Sequence, residues 1–225
     1  FKQATEMDPS SARAFAGLAF LHFQNLMFRW TDQPAESSAE LEHAARKAVA
    51  LDDKDPGSHI AIAAAANIAG QQEETIAASE LATRLNPSLA TAHATLGMFL
   101  ALAGRPEEAL SALEKAMRLS PRDPDTYSFF RGMALAHLAA GRFEEAIKWG
   151  RQSTQRRPDF PFSNLILTVA YAHLDRMDEA RSALGNLLKI APDFSITNFR
   201  RMSAAVDPSL AELAFDGLRK AGLPE

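Results

Sequence analysis

A helix-breaking or turn-forming residue closes five successive segments of this chain, at Asp53, Pro87, Pro121, Pro158 and Pro192. The spacings between them are 34, 34, 37 and 34 residues, and Pro9 lies 44 before Asp53, which is 34 plus an insertion of ten. Proline lacks an N–H and disfavours helical geometry in the residue before it, so each closure ends a helix. A fixed period of this length leaves room for two short helices per segment. Each such pair buries its apolar stripe on its neighbours rather than in a private core.

The interior of each segment repeats as well. The third unit reads His93-x2-Leu96-Gly97-x2-Leu100, then Ala109-x3-Leu113-x2-Ala116-x4-Pro121. Equivalent positions hold His59, Ile62, Ala63, Ala66, Thr75, Ser79, Ala82 in the second unit and Phe130, Met133, Ala134, His137, Ala146, Gly150, Ser153 in the fourth. The fifth has Asn164, Leu167, Thr168, Tyr171, Ala180, Leu184, Leu187, and the first has Phe15, Leu18, Ala19, His22, Leu41, Ala45, Ala48. Offsets of three and four place these side chains on one helical face. The small residues sit where helix axes cross closely. Gly104 and Gly141 suit the end of the first helix (A), and Pro106-Glu107-Glu108 suits the first turn of the second (B), where acidic groups meet the positive end of the helix dipole.

This pattern resembles the tetratricopeptide repeat. The resemblance implies an all-α fold, an α-α superhelix of antiparallel helix pairs closed by a C-terminal capping pair. One solenoid domain over 1–225 is expected, with repeats at about 12–53, 56–87, 90–121, 124–158 and 161–192. Phe1, Ala4 and Pro9 match the end of a helix B, so residues 1–9 read as a partial repeat whose helix A lies upstream. Beyond Pro192 the pattern decays into two helices near 195–205 and 208–221, separated by Asp207-Pro208, as a cap spanning 195–222. The ten-residue insertion, "RWTDQPAESS" at 29–38, reads as an ordered loop with Trp30 packed over the helix pair.

A finer resemblance lies in "RWTDQPAESSAELEHAARKAVALDDKDPGSH" and in the ending "GLRKAGLPE". They are similar to tetratricopeptide regions that follow bacterial class III adenylate/guanylate cyclase domains, and to those of winged-helix transcriptional regulators. The resemblance implies a C-terminal regulatory or dimerisation region, cytoplasmic with a cyclase parent, or periplasmic with a membrane-anchored regulator. The metal-binding aspartates of a cyclase are absent, so any nucleotide chemistry is expected upstream of Phe1.

Chemistry is sparse. No G-x-G-x-x-G, P-loop, H-E-x-x-H, G-x-S-x-G or S-x-x-K motif occurs, and there is no cysteine. "DDKDPG" at 52–57 lacks the bidentate glutamate of a calcium loop and reads as an inter-repeat turn. His59 and His93 lie 34 apart and share one packing slot, and His22 and His137 share another, which accounts for them without a metal. The net charge is −4, so Arg156-Arg157 and Arg200-Arg201 read as solvated surface rather than a nucleic-acid footprint. No apolar run is long enough to span a bilayer. Neither a catalytic residue nor a cofactor is implied, and neither nucleic acid nor membrane is expected as a direct partner.

A non-enzymatic protein–protein interaction module is therefore expected, its partner a protein or peptide segment, a second copy of the chain included. The residues of helices A that lie off the packing face are the candidate contacts: Arg13, Phe20, Phe23, Ile60, Asn67, Met98, Arg131, Leu135, Phe162, Leu165, Val169 and His173. Tetratricopeptide domains that clamp an acidic chaperone tail use several lysines and asparagines there. Two arginines, one asparagine and no lysine do not make that clamp. The face reads as apolar, to be covered by a partner, by a second protomer or by the chain's own C-terminal helices.

Overall fold

The computed structural model describes residues 1–27 and 31–225, with the side chain of Ala204 left aside. Among these it contains thirteen α-helices, one short 3-10 turn at Ser203–Ala205 and no strand. The expectation for Trp30 falls outside the described residues.

Backbone contacts gather into two compact units, Phe1–Leu96 and Gly97–Glu225. The first holds α1 (Lys2–Met7), α2 (Ala12–Met27), α3 (Pro34–Leu51), α4 (Pro56–Ile68), α5 (Gln72–Leu85) and the first half of α6 (Ala90–Leu102). α2 packs on α3, and α4 packs on α2, α3 and α5. Its core joins Ala19, Leu41, Ala44, Ala45 and Ala61, flanked by Phe15, Leu18, Phe23 and Ile62. Alanine dominates because helices that approach within a few ångströms of one another leave no room for a branched side chain.

The second half of the insertion, residues 34–38, is not the loop expected from sequence. Pro34 starts α3 at its first helical position, where a missing N–H leaves no helical bond unmade, and helix continues through residues 34–38 into the expected helix B. The extra residues therefore lengthen the pair, giving 16 residues in α2 and 18 in α3.

The second unit holds the rest of α6, then α7 (Pro106–Leu119), α8 (Thr126–Ala139), α9 (Phe143–Arg156), α10 (Pro161–His173), α11 (Met177–Ile190), α12 (Ile196–Met202) and α13 (Pro208–Ala221). α7 packs on α8, α8 on α9, α9 on α10 and α10 on α11, so each helix leans on its sequence neighbour. Each helix B ends one residue before its C-cap and two before the closing proline, at Leu85, Leu119, Arg156 and Ile190. The turns after helices A use left-handed backbone at Gly70, Gly104 and Gly141, with φ of 74°, 71° and 70°, and the equivalent position in the fifth pair is Asp175 at 56°. Repetition is also visible in the histidines: His59 Nε2 donates to the Asp53 carbonyl at 2.7 Å and His93 Nε2 to the Pro87 carbonyl at 2.9 Å. That is one contact made twice, 34 residues apart.

The last helix departs from the repeat. Asp207 caps α13 by accepting from the Ser209 and Leu210 amides, and its own N–H donates to the Leu102 carbonyl at 2.7 Å. Further along, α13 packs on α10, and His173 Nε2 donates to the Leu213 carbonyl at 2.8 Å. α13 thus runs from the end of α6 to the C-terminal half of α10.

Candidate functional site

The expected contact residues separate into covered and accessible groups. In the first unit Arg13 and Phe20 are exposed, Phe20 at 49%. Phe23, Ile60 and Asn67 are half-buried, and Phe23 packs against the core. In the second unit Met98, Leu135, Leu165 and Val169 are all buried. These four do not form an open apolar groove. Met98 reaches toward Gly132 on the neighbouring α8, and Val169 lies under Gly217 of α13. Of the covers expected for that face, the chain's own helices supply it here: the second unit's apolar positions are filled from within. Burial of this kind removes aliphatic surface from water without any second molecule. His173 is engaged as well, stacked 5.0 Å from the Phe143 ring and bonded to α13.

Arg131, Tyr127 and Phe162 on the second unit are half-buried, and Phe160 beside them is buried. α8 carries Tyr127 and Arg131 one turn apart, and the Phe160-Pro161-Phe162 entry to α10 brings two more rings alongside. The Arg131 guanidinium lies 5.2 Å from the Phe160 ring centroid. Tyr127 and Phe160 are 5.2 Å apart, and Phe160 and Phe162 5.8 Å. A cation over a ring face is attracted by the ring quadrupole, but that attraction is small beside the loss of hydration. Arg131 Nε is buried with no acceptor, and no carboxylate pairs with this side chain among the described residues. Burial pulls its pKa down to about 10. The group stays charged at neutral pH.

Three of the four arginines in the other basic pairs lie over aromatic rings. Arg156 covers Phe130, Arg157 covers Tyr127 and pairs with Asp159, and Arg200 lies 4.7 Å from the Phe215 centroid. Their cationic heads serve intramolecular packing rather than a continuous basic track.

Helix pairs with this period define a tetratricopeptide solenoid, and the comparisons agree. A tetratricopeptide repeat family model matches residues 88–159. The chain is similar in structure to the type IV pilus biogenesis factor PilW, at 17% identity and a TM-score of 0.62, over 89% of this chain and 92% of that one. It is also similar to a chain of the Cut9–Hcn1 hetero-tetramer of the APC/C, at 16% identity and 0.67, over 96% of this chain and 45% of that one. A third similar structure is YrrB, described as a tetratricopeptide protein with an unusual peptide-binding site, at 21% identity and 0.50, over 91% and 95%. Comparison with curated protein sequences returns no match. The likeness is one of fold, and no helix is long and apolar enough to cross a membrane among the described residues.

Proposed function

We propose that the chain is a non-enzymatic scaffold that captures an acidic, partly apolar segment of a partner protein on the helix A face of its second unit. The reading rests on Arg131. Its charge is desolvated, stacked on Phe160 and unneutralised by any carboxylate of the described chain. A partner carboxylate would complete the pair, while Tyr127 and Phe162 would flank the adjoining apolar residue. Hydrogen bonds to a buried charged group are worth about 1.5–3 kcal/mol. The accessible positions Arg13, Phe20, Phe23, Ile60 and Asn67 form a separate candidate face on the first unit.

A labelled, capped peptide of alternating leucine and glutamate tests this by fluorescence anisotropy. Arg131→Leu is expected to weaken binding by about tenfold or more, with partial rescue in Arg131→Lys. Equal affinity for the wild type and Arg131→Leu overturns the assignment.

The finer reading is that this scaffold is the cytoplasmic C-terminal regulatory region of a bacterial adenylate/guanylate cyclase. It is supported by the resemblance of residues 29–59 and of the Gly217–Glu225 ending. Sequencing the gene ahead of the Phe1 codon tests it: a cyclase catalytic domain is expected, and a winged-helix domain there replaces this parent with a transcriptional regulator.

A further inference from the structure

The helices A of a repeat array all run in one direction, each separated from the next by an antiparallel helix B. α13 does not follow them. His173 of α10 bonds to the Leu213 carbonyl, and Val169, four residues earlier on α10, lies under Gly217, four residues later on α13. The residue numbers rise in opposite senses, so α13 lies antiparallel to α10 and is not a sixth helix A. Its first turn is anchored farther back, where the Asp207 N–H meets the Leu102 carbonyl at the end of α6. α13 therefore lies across the helix A side of the second unit as a bound helix would, instead of extending the stack.

The packing face of α13 is shaped for close approach. Ala211, Ala214, Gly217 and Ala221 recur at offsets of three and four and are all buried. The large ring of Phe215 serves a different contact, meeting Phe199 of α12 edge-on at 5.1 Å. The Ile196 N–H also donates to the Pro224 carbonyl at 2.9 Å, which ties the start of α12 to the tail after α13. The two helices thus form a hairpin with contacts of its own. A segment that keeps its internal contacts when it leaves the body opens at a lower cost than global unfolding.

We propose that the α12–α13 hairpin is a displaceable internal ligand. It closes the helix A side of the second unit between α6 and α10, and a partner enters there only as the hairpin lifts about residues 191–195. The partner that fits is an amphipathic helix laid antiparallel to α10, with small residues at the positions of Ala211, Ala214, Gly217 and Ala221. This does not rest on Arg131, which stands beside Tyr127 and Phe160 at the entries to α8 and α10, whereas α13 meets the C-terminal half of α10.

A disulfide lock tests the proposal. The chain has no cysteine. A Cβ on Gly104 would stand 3.1 Å from the Asp207 Cβ, a few tenths short of the about 3.5–4.5 Å across a disulfide. Gly104→Cys with Asp207→Cys should lock the hairpin when oxidised and free it when reduced. The strain of a side chain at Gly104 is common to both states. A labelled peptide of residues 195–225, followed by fluorescence anisotropy, should bind the reduced form at least about tenfold more tightly than the oxidised form. The same peptide carrying Gly217→Leu should bind neither, because its side chain overlaps the α10 backbone. Adding Arg131→Leu to the double variant should change neither affinity. Native-state hydrogen exchange on the unaltered chain gives a reading that needs no variant. The amides of α12 and α13 should exchange together, at least about tenfold faster than those of α10. The proposal is overturned if the peptide binds both redox states equally or neither, or if the Gly217→Leu peptide binds. It is equally overturned if Arg131→Leu removes binding, or if the α13 amides exchange only together with those of α10.

Discussion

Gly217 of α13 sits so close over Val169 of α10 that a Cβ on the glycine would lie 3.0 Å from the Val169 Cα and 3.2 Å from its carbonyl oxygen. Backbone cannot yield as a side-chain tip can, so the contact requires a residue without a Cβ. Gly217→Ala is expected to destabilise by about 1–3 kcal/mol through overpacking. Gly185, inside α11, has no atom within 4 Å of the same imagined Cβ. There Ala should stabilise by about 0.5–1 kcal/mol, because the helix loses its most flexible residue. Urea unfolding of the two variants should give opposite signs, and like signs would sink the packing argument.

Leu113 of α7 plays a comparable part between two helices A. It is fully buried, and a Cβ on Gly132 would stand 2.6 Å from its Cδ2. Gly132→Ala should therefore cost about 1–3 kcal/mol, and Leu113→Ala about 2–5. The double variant should be less damaged than the sum by about 1 kcal/mol or more, because the shortened side chain makes room for the new methyl. Strict additivity would show that the two sites do not compete for the same space.

Arg131 predicts a trade between stability and binding. Its charged head is desolvated without a counter-ion, so Arg131→Leu should leave the protein as stable or raise its stability by about 1–3 kcal/mol. Thermal unfolding without any peptide checks this. A marked fall in Tm would mean that the stacking on Phe160 outweighs the desolvation.

His137 gives a pH dependence. Burial is the main cause that lowers its pKa below 6.5, and the nearby Arg142 charge adds to it, against weaker opposing effects of Glu145 and Glu107. The unfolded chain takes up a proton first as the solution acidifies. Its contribution is therefore intact above about pH 6.5 and is lost as pH falls toward the lower folded-state value. Tm should fall over that range in the wild type and fall less in His137→Phe. An NMR titration placing His137 at or above 6.5 contradicts the account.

Much of the fold is legible in the residue string because a repeat encodes local and nearest-neighbour contacts over and over. The closing prolines stop the helices two residues ahead, and His59 and His93 find the same carbonyl partner in successive pairs. The insertion is the informative miss. Pro34 can begin a helix as readily as it can hold a loop, and composition does not distinguish the two.

The candidate sites lie at the other end of that scale. By itself the sequence determines the period, the alternation of helices A and B, and which positions face a neighbouring helix. It does not determine which outward positions stay open, because that depends on chain segments with no repeat to template them. Only the tertiary structure lays α13 over Val169 and His173. It also brings Phe160 onto Arg131. The physical reason is that periodicity sets contacts between equivalent positions, whereas desolvation depends on every atom that comes near, wherever in the chain it originates.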